Sequence, residues 1–240
     1  LRNDSPVRRL EGLDTVVETA RGACGGPVEL REGEIRFLAD LAGGQKTGWF
    51  YDQRDNRAFT GNLARDGRVL DVYCHTGGFA LHAAAGGARE VLGVDRSAAA
   101  LALAEQAAAL NGFGACCRFL KADAFTALER LGRDGERFDL VVADPPAFVK
   151  SRKDIKPGLR AYRKLARLCA GLVSPGGFLF IASCSHNVAG DSLAEQVGRG
   201  LADAHRGGRI LRRAGAGPDH PVHPWLPESA YLKSLVLQLD

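Results

Sequence analysis

An α/β fold carried on one mostly parallel, seven-stranded sheet is what this sequence predicts, and three observations predict it. From Arg68 onward short apolar runs alternate with segments of helical length, the pattern of successive βαβ units. Two of the runs, F-D-L-V-V-A before Asp144 and G-F-L-F-I-A before Ser183, are apolar enough to be buried strands. Start and stop signals separate the elements: Ser97 is a good N-cap for the Ala-rich run that follows, and Asn111-Gly112 is a good stop.

In chain order, residues 1–45 read as a small β-rich unit, with T-V-V-E-T near Asp14, P-V-E-L at Pro27 and G-E-I-R-F-L-A-D, the last two joined by a Gly-containing turn. So short a piece cannot bury a core by itself. A polar stretch, G-G-Q-K-T-G-W-F-Y-D-Q-R-D-N-R from Gly43 to Arg57, leads into a short helical run before Gly67. Residues 46–240 then form the main unit, with strands expected at Val69–Tyr73, Val91–Val94, Cys117–Lys121, Phe138–Ala143, Gly177–Ser183, Arg209–Arg212 and Leu232–Leu239 and helices between them.

The chain has 240 residues, 45% apolar and 25% charged, enough for one full α/β core and a small appendage. It carries no apolar stretch of about 18 residues and no signal-peptide pattern at its start, so neither a membrane partner nor export is expected and the cytoplasm is the default address. It begins at Leu1 and contains no methionine, so residues upstream are expected to be missing. The six cysteines, Cys24, Cys74, Cys116, Cys117, Cys169 and Cys184, show no C-x-x-C pair, which argues against a zinc cage or a disulfide framework, and no metal is expected. A net charge of +4 is a mild excess, compatible with a polyanionic partner.

After the first strand of the alternation comes D-V-Y-C-H-T-G-G-F-A, Asp71 to Ala80, and the second strand ends at Asp95, roughly the spacing at which an acid meets ribose hydroxyls. A pyrophosphate fingerprint would need glycines where Tyr73 and His75 stand. S-adenosylmethionine has no phosphate and asks only for close backbone approach, which Gly77 and Gly78 supply. On this reading Asp71 reaches the ammonium end of the cofactor, Asp95 the ribose and Asp123 the adenine amino group. Tyr73 or Phe79 faces the sulfonium, and Thr76 and Ala124 belong to the same loops. The plainer alternative is a tight turn with three helix-capping acids.

Asp144, in D-P-P-A-F, and Cys184, in S-C-S-H, each follow a strand run and so face one cleft at the carboxyl ends of the sheet. That pairing suits attack on a flat ring. Carbon 5 of cytosine takes a methyl group only after a thiolate has added at carbon 6, which makes Cys184 the candidate nucleophile. Asp144 would hold ring nitrogen 3 through a carboxyl raised by partial burial. His186 is a candidate activator of the thiol and Phe148 a candidate wall for an extruded base, against readings as a surface histidine and a core aromatic. Beyond this loop Lys150, Arg152, Lys153, Lys156, Arg160, Arg163, Lys164 and Arg167 stand against one acid, Asp154, a pattern fit for phosphate contacts.

These segments, together with E-G-L at Glu11 and D-H-P-V-H-P-W-L-P-E-S-A-Y-L-K from Asp219 to Lys233, run over nearly the whole chain. In them the chain resembles the bacterial class I ribosomal RNA methyltransferases that make 5-methylcytosine in large-subunit RNA. The resemblance implies a Rossmann-like class I fold, S-adenosylmethionine as cofactor, RNA as partner, Cys184 as nucleophile with Asp144 beside it, and Lys46, Gln53 and Arg57 as shapers of the cofactor pocket. A related branch that methylates a guanine ring nitrogen shares D-P-P but lacks a cysteine at the position of Cys184, so S-C-S favours the cytosine branch. The family usually carries an N-terminal RNA-binding domain, which is not in this sequence, and commonly has tyrosine where this chain has His75. Rival readings are nitrogen methylation with a structural Cys184 and a non-catalytic RNA-binding protein; dimerisation is left open.

Overall fold

The computed structural model describes residues 1–5, 7–23, 25–44 and 48–240. The chain opens with β1 (Arg2–Asn3), α1 (Val7–Leu10) and β2 (Val16–Val17), a small two-stranded pairing in which Asn3 faces Val16, and none of the described residues from Asn3 to Pro27 is buried. An antiparallel hairpin follows, β3 (Val28–Glu32) and β4 (Ile35–Ala39), then α2 (Arg54–Gly61).

The alternation begins with β5 (Arg68–Val72) and continues α3 (Gly78–Ala85), β6 (Glu90–Asp95), α4 (Ala98–Leu110), β7 (Cys117–Lys121), α5 (Ala124–Arg133), β8 (Phe138–Ala143), α6 (Ile155–Ala170), β9 (Val173–Ser183), α7 (Gly190–Asp203), β10 (Gly208–Ala214) and β11 (Lys233–Leu239). The seven strands β5 to β11 form one sheet in the order β10-β11-β9-β8-β5-β6-β7. Pairing is parallel from β7 across to β9, and antiparallel where β11 meets β9 and β10 meets β11.

Side chains alternate across each strand, so successive residues enter opposite layers. Leu70, Val72, Val141, Ala143, Leu179 and Ile181 pack with Tyr162 and Leu165 of α6 and with α5 and α7. Val69, Leu140, Val142, Phe180 and Ala182 pack on the other face with Leu81 of α3 and Ala107 of α4. Near-continuous apolar strands are what a sheet covered on both sides requires.

One expectation changes. The strand expected from Gly177 begins at Val173, because Ser174 to Gly177 are taken up in a register shift: Phe138 pairs with Val173, but Leu140 already pairs with Phe178. The hairpin of the small N-terminal unit packs into the core of the main unit. Phe37 and Ala39 of β4 are fully buried in the same layer as Val69 and Leu81, and Asn111 ties α4 to the hairpin, accepting from Arg36 N at 2.9 Å and donating to Arg36 O at 2.7 Å.

Among the described residues no helix is long and apolar enough to cross a membrane, and no group of three or more His, Cys, Asp or Glu side chains is placed to hold a metal ion. Among the described residues Cys74, Cys116, Cys117, Cys169 and Cys184 form no disulfide.

Candidate active site

The carboxyl ends of the parallel strands open into a cavity of about 740 Å³, within the range of about 300–1,000 Å³ usual for ligand sites. Along its rim, one step past each strand, stand Cys184 (β9), Asp144 (β8) and Tyr73 (β5), then Asp95 at the end of β6 and Asp123 beyond β7. β5, β6 and β7 run outward in one direction and β8 and β9 in the other, so the switch point lies between β5 and β8, where open α/β sheets bind their ligands. The register pairs Ala143 with Ile181, so Cys184 rises from the adjacent strand two residues beyond the position opposite Asp144, and both side chains leave the sheet on the same face.

The loop after β5 turns through left-handed backbone at Tyr73 (φ 67°), His75 (φ 49°) and Gly77 (φ 83°). Gly77 is required twice over: its φ disfavours a side chain, and a Cβ there would lie 3.1 Å from the Ala104 Cβ of α4. At Gly78 a Cβ would sit 3.0 Å from Arg57 Cδ and 3.4 Å from the Trp49 ring. Tyr73, His75, Thr76, Gly78 and Phe79 line the cavity, whereas Asp71 and Gly77 do not.

Asp71 itself stands behind the loop rather than on the cavity wall. The side chain is 1% exposed and points behind the loop, where Oδ2 accepts from Ala80 N at 2.9 Å and anchors the start of α3. Its Oδ1 has no hydrogen-bond partner. Burial, with smaller contributions from Asp144 and Asp95, pushes this carboxyl up to about 8. Burial also holds the His75 ring below its ordinary value, against the pull of Asp95.

Asp95 is fixed by two backbone donors, His75 N at 3.0 Å to Oδ2 and Ser97 N at 2.8 Å to Oδ1, and a carboxylate keeps acceptor capacity beyond these. Asp123 caps α5 through Oδ1, which accepts from Thr126 N at 3.1 Å, and with Ala124 it lines the far end of the cavity. Both acids are therefore caps and cavity walls at once. Gln53 is buried on the near side and accepts from Asn56 Nδ2 at 2.7 Å. Lys46 lies outside the described residues.

Arg57, also on the cavity wall, belongs to a buried cluster that sequence reasoning did not find. The Glu32 carboxylate accepts from Arg57 Nε at 2.8 Å and from Arg57 Nη2, from Trp49 Nε1 at 2.9 Å, and meets His82 Nε2 at 3.0 Å. Burial alone would raise Glu32; the hydrogen bonds from His82 and Arg57, the Arg57 charge and the Trp49 bond outweigh it and hold the carboxyl down at about 2. The Arg57 guanidinium lies 4.6 Å from the Trp49 ring centroid.

At the other end of the rim the alternation of S-C-S sets the geometry. Ser183 and Ser185 face the core, their hydroxyls bonded to Tyr162 Oη at 2.8 Å and 3.1 Å, and Ser185 Oγ also accepts from Val149 N at 3.2 Å. The intervening Cys184 is thereby turned to the opposite side, half-buried on the cavity wall with Asp144, Pro145 and Pro146. Ser185, held by Tyr162, thus ties the cysteine strand to the loop that carries Asp144.

Of the two readings for Phe148 its packing follows the core aromatic: half-buried, its ring lies 4.8 Å from Tyr162 and 6.2 Å from Phe125, and it does not line the cavity. His186 is exposed, off the cavity wall, with its ring 5.6 Å from Tyr231. Tyr231 in turn donates to Asp52 Oδ2 at 2.6 Å, closing this end of the cavity beside Leu232.

The donor set answers which cofactor fits. The acid at the end of β6 suits a ribose in any adenosine ligand, and the loop after β5 lacks the glycine cradle that a pyrophosphate needs, so an adenosine carrying an amino acid suits the wall better than a dinucleotide. A doubly wound sheet with this switch point and these acids is that of the Rossmann-like methyltransferases. The chain belongs to the S-adenosylmethionine-dependent methyltransferase family, whose pattern matches residues 12–237, and S-adenosylmethionine is the cofactor of that family.

A "Ribosomal RNA large subunit methyltransferase I" of Tolumonas auensis is 39% identical over 99% of this chain and 60% of its own length. That of Aeromonas salmonicida is 37% identical with the same coverage. The chain thus spans about 60% of the length of the curated relatives it matches. A structure of a protein assigned to the methyltransferases, complexed with SAH, superposes with a TM-score of 0.81 at 24% identity, covering 90% of this chain and 57% of that one.

Proposed function

We propose that this chain methylates carbon 5 of a cytosine in RNA, with large-subunit ribosomal RNA as the substrate, through a covalent adduct at Cys184. The observation that carries the proposal is the convergence of Cys184 and Asp144, from adjacent parallel strands, on the cavity wall that continues into the cofactor loop. The names of the relatives support ribosomal RNA as the substrate class.

In this reading Asp95 takes the ribose hydroxyls, Asp123 the adenine amino group with Ala124 beside it, and Arg57, held by Glu32, the carboxylate of the amino acid end. Gln53, Tyr73, Thr76, Gly78 and Phe79 shape the wall between, and Lys46 is assigned to the same pocket. When bound, S-adenosylmethionine supplies a methyl group on a sulfonium. The Cys184 thiolate adds to carbon 6 of the base, and Asp144 holds a proton at nitrogen 3, so that carbon 5 becomes an enamine carbon able to accept the methyl group. Loss of the carbon 5 proton and expulsion of the Cys184 thiolate then restore the ring.

The test is a transcript containing 5-fluorocytidine. Fluorine cannot leave as a proton does, so the adduct is trapped and migrates with the protein in denaturing gels, and Cys184→Ala abolishes both the trap and turnover while cofactor still binds. Methylation of carbon 5 by Cys184→Ala, or a methyl group mapped to a ring nitrogen, would overturn the proposal.

A further inference from the structure

We infer that Lys233 is a positioning residue for the reaction, its ammonium fixing the thiolate form of Cys184; the inference rests on the nucleophilic role proposed for that cysteine. β11 runs antiparallel to β9, so it enters the sheet at the rim where the parallel strands end, and its first residue, Lys233, pairs with Ser183. Nζ donates to Ser185 O at 2.6 Å and to Tyr231 O at 2.7 Å. The first of these carbonyls belongs to the residue immediately after Cys184, so the cation is held against the strand end that carries the thiol. An ammonium has three N–H donors, and two are spent on these carbonyls; the register sets the Lys233 stem on the Ser183 face of the sheet, so its charge approaches Cys184 round the strand end that the Ser185 carbonyl marks.

The charges around Cys184 make this cation matter. Asp144 and Asp52 line the same cavity and oppose a thiolate; Tyr231 is tied to Asp52, Tyr162 lies beneath with its hydroxyl on the two serines, and His186 is turned out against Tyr231. Burial pushes the Lys233 ammonium below its ordinary value while negative charge at Cys184 pulls it back up, in agreement with the placement set by the bond to the Ser185 carbonyl. An ordinary thiol titrates near ~8.5 and is only a few per cent thiolate at neutral pH. An opposite charge within about 4–6 Å lowers such a value by roughly 1–3.

The experiment is alkylation of Cys184 in the cofactor-free chain by iodoacetamide, followed across the neutral and alkaline range and read on the Cys184 peptide by mass spectrometry. Lys233→Gln keeps N–H donors for the two carbonyls but removes the charge; Lys233→Arg keeps the charge. The expected result is a wild-type midpoint below that of an ordinary thiol, a rise of about one pH unit in Lys233→Gln, equivalent to about tenfold less thiolate at neutral pH, and a midpoint near wild type in Lys233→Arg. The pH profile of kcat moves the same way, with Lys233→Gln recovering turnover as the pH is raised, which loss of packing alone would not produce.

A midpoint unchanged in Lys233→Gln overturns the inference. If neither variant folds, the wild-type titration decides it, because a midpoint at or above ~8.5 leaves no stabilising cation to assign. These readouts do not involve methyl transfer. A lowered midpoint in a protein whose Cys184→Ala variant still methylates carbon 5 would therefore sink the catalytic role of Cys184 and leave the electrostatic pairing standing.

Discussion

Replacing Glu32 by Gln removes the carboxylate that holds Arg57, Trp49 and His82 together beneath the cofactor loop, and the size of the effect can be worked in two ways. A carboxyl with an ordinary value of 4.5 that the fold holds at about 2 contributes about 3 kcal/mol at neutral pH. Breaking a buried ion pair by removing one partner costs about 3–5 kcal/mol, because the remaining charge is stranded, and Arg57 is only 3% exposed. The two routes agree on a loss of about 3 kcal/mol, a large part of the ~5–15 kcal/mol of an ordinary domain.

The sign of the pH dependence follows from the lowered carboxyl. Its contribution is complete above the unfolded value of 4.5 and is lost as the pH falls through about 2. Urea unfolding at neutral pH should give the full difference between wild type and Glu32→Gln, and the difference should close as the pH is taken below 4.5. Calorimetry with S-adenosylhomocysteine should show weaker binding to the variant, since Arg57 loses its anchor. A stability difference under about 1 kcal/mol, the size of an ordinary neutral hydrogen bond, or equal acid sensitivity in the two proteins, would refute the reasoning.

Two further outcomes are expected. Tyr162→Phe strips the shared hydroxyl from Ser183 and Ser185, costing about 1–2 kcal/mol of stability; because those serines aim Cys184, kcat should fall while the affinity for S-adenosylhomocysteine holds, and equal losses in both would argue against it. On α6 and the loop before it, Arg163 is held by Asp203 and Lys164 by Glu129. Changing the exposed Lys153, Lys156 and Arg160 to Gln should therefore weaken RNA binding more than changing Lys164 to Gln, and flatten the salt dependence by about 0.7 in log–log slope per lost phosphate contact.

The sheet was legible because its strands are short apolar runs bounded by turn chemistry, and the bounds of β7 and β8 coincide with those runs. β5 stops one residue short of expectation because Tyr73 adopts a left-handed φ that no strand can continue. The start of β9 was hidden because S-P-G-G reads as a turn in one dimension, whereas the neighbouring strand absorbs it as a shift of register. Asp144 and Cys184 could be found from their place after strands. Phe148 could not be assigned, because whether an aromatic near a strand end faces cleft or core depends on Tyr162, which arrives from α6. Glu32, Trp49 and His82 escaped notice because they come from three separated segments and meet only in the packed structure.

The reversal of strand order between β5 and β8 separates two duties in the chain as well as in space. On the function proposed above, the groups that serve the methyl donor come from residues 53–124 and those that serve the base from residues 144–184. A substitution in the D-P-P or S-C-S loop can therefore alter which atom receives the methyl group while the donor's own seat is left intact. Such a layout lets a lineage exchange targets without rebuilding the machinery that feeds them.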